Sequence, residues 1–376
     1  MFVLSYFVVL IAITSAIVAD GTTLRPQVGQ NTLGAVIFFC YILAALYLTG
    51  HLIFNIIRLF SYNNKVSDNA GKHADNSIES SSKKGAVLKR KQEDRNGERT
   101  SRRGWAIWFS GLAMASFAVL SWNMLNFLIS SYIEWARRHA VPVSLRLTDV
   151  YEIEQFLSSI WSWATDSNLF RTFAEDLLAD AQTWKHAQLA LLYSYAWNIW
   201  MSMLGFKLNI PHLWVYFALD QILPVSFTQN LFCTALMLSK TPSETSRLPN
   251  NATLTKPATT FAYVVALFFM PTTIDTSWFF PTLFVLRILL FTPFVVDQFA
   301  DNSRGTRWYS KKHDARRSNH WSLLILAVYG LCMLTNVHQF QFKVYDIARF
   351  NYAGATLRND LIVGMVSSAS YIIASR

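Results

Sequence analysis

Apolar stretches at 1–19, 34–60, 105–132, 186–206, 211–238, 278–296 and 321–338 each approach or exceed the roughly 17 to 25 residues a helix needs to cross the hydrocarbon of a bilayer. Hydrocarbon offers a backbone no hydrogen-bond partner, so a run of this kind must pair its own N–H and C=O groups as a helix. The expected fold is therefore all-α: a polytopic transmembrane helical bundle of about seven spans. Composition agrees, since 52% of residues are hydrophobic, 15% are charged and the mean hydropathy is +0.25, a balance that a soluble chain of this length rarely tolerates.

Charge between the spans suggests how the chain is threaded. Residues 61–104 carry eleven Lys and Arg against six Asp and Glu among Ser, Asn and Gly, and read as a disordered basic cytosolic loop. The loop 297–320 carries, over 298–320, Arg304, Arg307, Lys311, Lys312, Arg316 and Arg317 against Asp301 and Asp314, and is expected on the same side. That placement requires 261–296 to cross once. Thr272 to Ser277 interrupts the hydrophobic run between Pro271 and Pro281, so 261–270 is expected to be re-entrant or interfacial, with the true span starting near Trp278. The loop 239–260 then becomes lumenal, and Asn251-Ala252-Thr253 within it is a glycosylation acceptor sequon. Residues 1–19 read as a signal anchor or a cleaved signal peptide. Residues 133–185 interleave Phe156, Ile160, Trp161, Trp163 and Leu177 with polar side chains at helical spacing, which predicts amphipathic helices on the lumenal face. The tail 339–376 contains a short apolar run, 361–374, expected at the interface, with an eighth pass as the alternative.

The spans at 186–238 are unusual in carrying polar groups at membrane depth. At 100° per residue, His212, Tyr216 and Asp220 fall along one side of a helix, with Ser226 and Asn230 close in projection and Pro224 expected to kink the path. Gln188, Tyr195, Asn198 and Ser202 form a comparable stripe on the preceding span. The short link Leu208-Asn209-Ile210 predicts antiparallel neighbours whose polar stripes face each other. Interhelical hydrogen bonding is the ordinary role of Ser, Asn and Gln in such places, and it is the first reading of Asn198, Ser202, Ser226 and Asn230 taken singly. Carboxyls are different: Asp220 and Asp275 must find a cation or remain protonated in hydrocarbon, and a protonated carboxyl is what acid catalysis in an apolar cavity requires. Trp184, Trp197, Trp200, Trp214 and Tyr216 surround the stripes. Aromatic faces can stabilise a cation, although packing and interfacial anchoring are their commoner roles.

Several function classes are excluded by what the chain lacks. Cys40, Cys233 and Cys332 have neither CxxC spacing nor nearby partners, so no disulfide framework or metal site is expected. No phosphate-binding glycine loop, dinucleotide fingerprint, nucleophile elbow or Asp-rich diphosphate motif occurs; no cofactor is expected, and ionisation-type prenyl chemistry is disfavoured while protonation-type chemistry stays open. The net charge of +10 resides in loops, where membrane topology accounts for it better than nucleic-acid binding does.

The paired motifs Ile210-Pro211-His212-Leu213-Trp214-x-Tyr216 and Ser226-Phe227-x-Gln229-Asn230-Leu231-Phe232 resemble those of a family of fungal membrane-bound terpene cyclases, typified by the epoxide cyclase of ascofuranone biosynthesis. The opening Met1-Phe2-Val3-Leu4-Ser5-Tyr6 and the basic first loop look closest to members from indole diterpene clusters of the paxilline, penitrem and shearinine type. The resemblance is strongest over about 130–240. It implies redox-neutral cyclisation of an epoxidised or polyene isoprenoid, an isomerase reaction in the endoplasmic reticulum membrane. Other membrane enzymes of the same pathway become candidate partners beside the bilayer and the isoprenoid substrate. The family motif assigns no catalytic residue.

From the residues themselves, Asp220 or Asp275 is the candidate acid and His212 the candidate proton acceptor. Tyr216, Trp214, Trp197, Asn198, Gln229 and Asn230 are the candidate substrate contacts. The competing class is a non-enzymatic membrane scaffold or a hydrophobic-metabolite binding or transport protein. No internal hydropathy repeat of the transporter kind is evident.

Overall fold

A computed structural model describes residues 32–75, 84–141, 150–167, 172–173, 176–177, 181–239, 255–273, 276, 278–302, 312–335 and 352–375. Among them ten helices and no strand occur: α1 (Thr32–Asp75), α2 (Lys84–Arg138), α3 (Val150–Asp166), α4 (Ala181–Lys207), α5 (Leu213–Asp220), α6 (Val225–Leu238), α7 (Thr255–Thr273), α8 (Phe279–Asn302), α9 (Lys312–Thr335) and α10 (Tyr352–Ala374). Three stretches among the described residues are long and apolar enough to cross a membrane: Phe38–Ser61 in α1, Thr100–Arg138 in α2 and Pro281–Gln298 in α8. They coincide with three of the seven expected spans, and the chain is a helical membrane protein at that level of description.

Four expectations change. The stretch 61–104 is helical over 61–75 and 84–104 rather than unstructured. Elongating an existing membrane helix avoids the nucleation cost that an isolated polar segment would face, and over 84–104 the many Lys, Arg and Glu propagate helix well. The single span drawn at 211–238 is two helices, of 8 and 14 residues, because the chain stops at Gln221 and restarts behind Pro224. The tail 339–376 contains a 23-residue helix, α10. Finally, α7 is one continuous helix beginning at Thr255, with Pro271 inside its last turn; the expected interruption does fall between it and α8. The segment 1–19 lies outside the described residues.

The chain divides into two compact units. The first comprises Met1–Ala44, Val119–Ile199 and Asn250–Asn359. Its main core packs Trp184, Leu192, Tyr195 and Ile199 of α4 with Tyr263 and Leu267 of α7, Leu286 and Leu290 of α8, and Leu326 and Tyr329 of α9. The polar stripe expected on α4 bonds into this same core. Gln188 Nε2 donates to Tyr329 Oη at 3.2 Å, Asn198 Nδ2 donates to the Leu290 carbonyl at 3.2 Å, and Tyr195 stacks on Tyr263 with ring centroids 4.4 Å apart. The partners of that stripe are thus α7, α8 and α9, which supply the missing hydrogen bonds in hydrocarbon. A smaller core fixes the amphipathic α3 to the end of α2 through Trp135, Ala136, Trp163 and Ala164. Trp135 Nε1 donates to Asp166 Oδ2 at 3.1 Å there, and Tyr132 Oη pairs with Ser159 Oγ at 2.9 Å. The apolar stripe of α3 therefore serves protein packing, while Leu157 and Trp161 stay exposed.

The second unit comprises Ala45–Ala118, Trp200–Pro249 and Asp360–Arg376. Here α4 ends in a Schellman turn. Ile210 N–H reaches the Gly205 carbonyl at 2.9 Å and Asn209 N–H the Phe206 carbonyl at 3.3 Å, with Asn209 in the left-handed region at φ 51°, a conformation Asn tolerates better than most residues. Gly205 is required by close packing against Leu213. A Cβ there would lie 3.0 Å from Leu213 Cγ and nearer still to both its methyls, and Leu213 is buried. Gly205→Ala is therefore predicted to destabilise the protein by about 1–3 kcal/mol through overpacking, and Gly205→Ala/Leu213→Ala should recover part of that loss. Thermal unfolding in detergent would measure it; a single variant as stable as the parent would show that Leu213 simply swings aside.

Candidate functional site

The polar groups singled out at 210–232 gather in the second unit around the break between α5 and α6. Pro224 stands at the N-cap position of α6 with φ −56° and ψ 144°, and no local side chain caps that end. A helix start leaves N–H groups unpaired, and these are taken from afar. Asp360 of α10 accepts from Val225 N–H at 3.0 Å and Ser226 N–H at 2.8 Å, and also bonds the Ser226 hydroxyl. The Ser226 hydroxyl in turn pairs with Ser116 of α2. Ser116, Ser226 and Asp360 are all buried, Asp360 at 5% exposure, so a carboxylate and two hydroxyls bind α2, α6 and α10 at one point.

The rest of the amide-rich motif continues this pattern. Gln229 Nε2 donates to the Gly364 carbonyl at 3.1 Å and to Ser368 Oγ at 2.9 Å. Asn230 Nδ2 donates back to the Ser226 carbonyl at 2.7 Å, and Thr234 Oγ1 to the Asn230 carbonyl at 2.9 Å. Two buried acceptors on α6 remain without a hydrogen bond, Thr228 Oγ1 and Asn230 Oδ1.

On α5, Tyr216 and Asp220 are buried, Asp220 at 3% exposure as the last residue of the helix, and Trp214 is half-buried. Aromatic rings run on from Tyr216. It meets Phe232 edge-on at 5.4 Å, Phe232 meets Trp200 at 6.2 Å, and Trp200 meets Tyr371 at 4.8 Å, each pair near perpendicular. This geometry sets the positive edge of one ring against the negative face of the next.

His212 departs from expectation. It precedes α5 in the left-handed region, at φ 55° and ψ 36°, and is exposed, so it does not continue the side of Tyr216 and Asp220. The helical projection fails because the turn closing α4 carries the chain through two left-handed residues, Asn209 and His212, before α5 begins. His212 instead meets His51 of α1 edge-to-face, ring centroids 5.1 Å apart.

The structure thus places Asp220, Tyr216, Trp214, Gln229, Asn230 and His212 in one unit, while Trp197 and Asn198 belong to the other, both buried and Asn198 bonded to Leu290 of α8. Asp275 and Asn251 lie outside the described residues. Sequence reasoning missed Asp360, Ser116 and His51. A carboxylate directly preceding the apolar run 361–374, and a histidine inside the run 34–60, were the available signals. No family model, curated protein or solved structure matches the chain.

Proposed function

We propose that this protein is a membrane-embedded terpene cyclase acting on an epoxidised or polyene isoprenoid, an indole diterpene intermediate being one such substrate, in the endoplasmic reticulum membrane. The observation that carries the reading is the buried carboxyl of Asp220 in the same compact unit as the ring series Tyr216, Phe232, Trp200 and Tyr371. A carboxyl removed from water is poised as an acid, and aromatic faces suit a passing cation. In the proposed mechanism Asp220 delivers a proton to an epoxide oxygen or alkene carbon, the chain closes on the resulting cation, and loss of a proton to a basic group ends the reaction with no net redox change. His212, at the opposite end of α5 and exposed, is a weaker candidate for that last step than the sequence suggested. Asp275 stays a second candidate acid.

Expression in a host supplied with candidate epoxy-isoprenoids tests the reading directly. The expected product has the mass of its substrate and a ring more. Recovery of unchanged substrate across the candidate series, with the protein abundant in the membrane, would favour a binding or scaffolding role instead.

A further inference from the structure

Buried polar atoms in native proteins nearly always find a hydrogen-bond partner, and an exception calls for a water, an ion or a ligand. Helix α1 carries three such exceptions inside its apolar stretch Phe38–Ser61: Thr49 Oγ1, His51 Nε2 and Asn55 Nδ2. His51 and Asn55 are one turn apart and project from one face. That face flanks Leu48, Leu52 and Ile56, the residues through which this part of α1 is buried. The two side chains therefore turn toward protein and away from lipid. His51 lies roughly 15 Å of helix from the end of the apolar stretch, so headgroup water is not at hand.

His212 completes the arrangement. Its left-handed backbone at the head of α5 brings its ring edge-on to His51, and because His212 is exposed and His51 half-buried with its Nε2 out of solvent, the imidazole pair has one sheltered nitrogen and one open member. Asn55 Nδ2 can only donate, and His51 Nε2 donates or accepts according to tautomer. Neither carries a fixed charge. A neutral oxygen satisfies both, whereas a carboxylate or phosphate would bring an unmatched charge to membrane depth.

We propose that His51, Asn55 and His212 form a binding station for the neutral oxygen, epoxide or hydroxyl, of a ligand that is otherwise hydrocarbon. An isoprenoid as that ligand rests on the cyclase reading; the station itself does not. In the ligand-free protein the amide nitrogen of Asn55 and Nε2 of His51 have no hydrogen-bond partner. The oxygen pairs them on binding, and the apolar surroundings receive the chain.

Binding of 2,3-oxidosqualene and of squalene, which differ by one oxygen, to the full-length protein in lipid nanodiscs tests this. The wild type should prefer the epoxide by roughly ten- to hundredfold, the range one or two buried hydrogen bonds provide. His51→Leu/Asn55→Leu should erase the preference while leaving squalene binding unchanged, and Asn55→Leu alone should reduce it. Because neither atom has a hydrogen bond to lose, the ligand-free double variant should melt no lower than the wild type. A wild type without preference, a double variant that keeps it, or a double variant that melts clearly lower overturns the proposal. Product analysis on the same preparations separates the two readings: epoxide preference without cyclised product retains the station and removes the cyclase, and cyclised product without preference does the reverse.

Discussion

Replacing Lys256 by Met should cost about 3–5 kcal/mol of stability, the penalty for leaving one member of a buried ion pair uncompensated. Lys256 Nζ lies 2.6 Å from Asp297 Oδ1 and 2.7 Å from Oδ2, and the two side chains are 5% and 2% exposed. The pair joins the start of α7 to the penultimate residue of the apolar stretch Pro281–Gln298 of α8. Thr259 and Thr260 hydroxyls both donate to the Lys256 carbonyl, at 3.0 and 2.7 Å, and so hold that turn in place. With the ammonium gone, the Asp297 carboxylate is left buried in the protein without its cation, and folding must be paid for by protonation or rearrangement. Lys256→Met/Asp297→Leu removes both charges and fills similar volume, so it should return to within about 1 kcal/mol of the parent or exceed it. Thermal unfolding in detergent, with membrane abundance alongside, measures both variants. Equal loss in single and double variants would mean that packing, not charge, governs this contact.

Asp220→Asn should lower the rate of cyclisation by roughly 10²- to 10⁴-fold, the usual contribution of a well-placed general acid, while abundance and melting temperature stay near those of the parent. The amide preserves the shape of the side chain and much of its hydrogen-bonding capacity but cannot deliver a proton at the barrier. The comparison with Asp275→Asn is informative, since only one of the two can be the initiating acid. A variant at Asp220 that turns over at the parental rate assigns that residue to structure at the α5 terminus and moves the chemistry elsewhere.

The legible part of this protein was whatever depends on a local run of residues. Apolar length alone located the stretches in α1, α2 and α8, and the Thr-rich interruption after Pro271 located the gap between α7 and α8. The polar character of Ser226 to Asn230 announced a buried network. Its wiring was not legible. Gln229 bonds to Gly364 and Ser368, Asp360 closes the start of α6, and Asn198 reaches Leu290, each across many residues of chain. A helical projection ranks positions around one axis and contains nothing about which other axis lies alongside.

His212 and Asp360 mark the division most clearly. The sequence by itself determined that a helical membrane protein would form, because hydrocarbon leaves the backbone no other way to pair its polar groups. It also determined that polar side chains at depth would have to be matched. Tertiary structure alone decided who matches whom. Two left-handed residues in the link after α4 take His212 off the α5 stripe and set it against His51, and α10 brings a carboxylate to the bare N-terminus that Pro224 leaves on α6. Such pairings depend on where separate helices come to rest, and that is settled by packing over the whole unit rather than by any window of the chain.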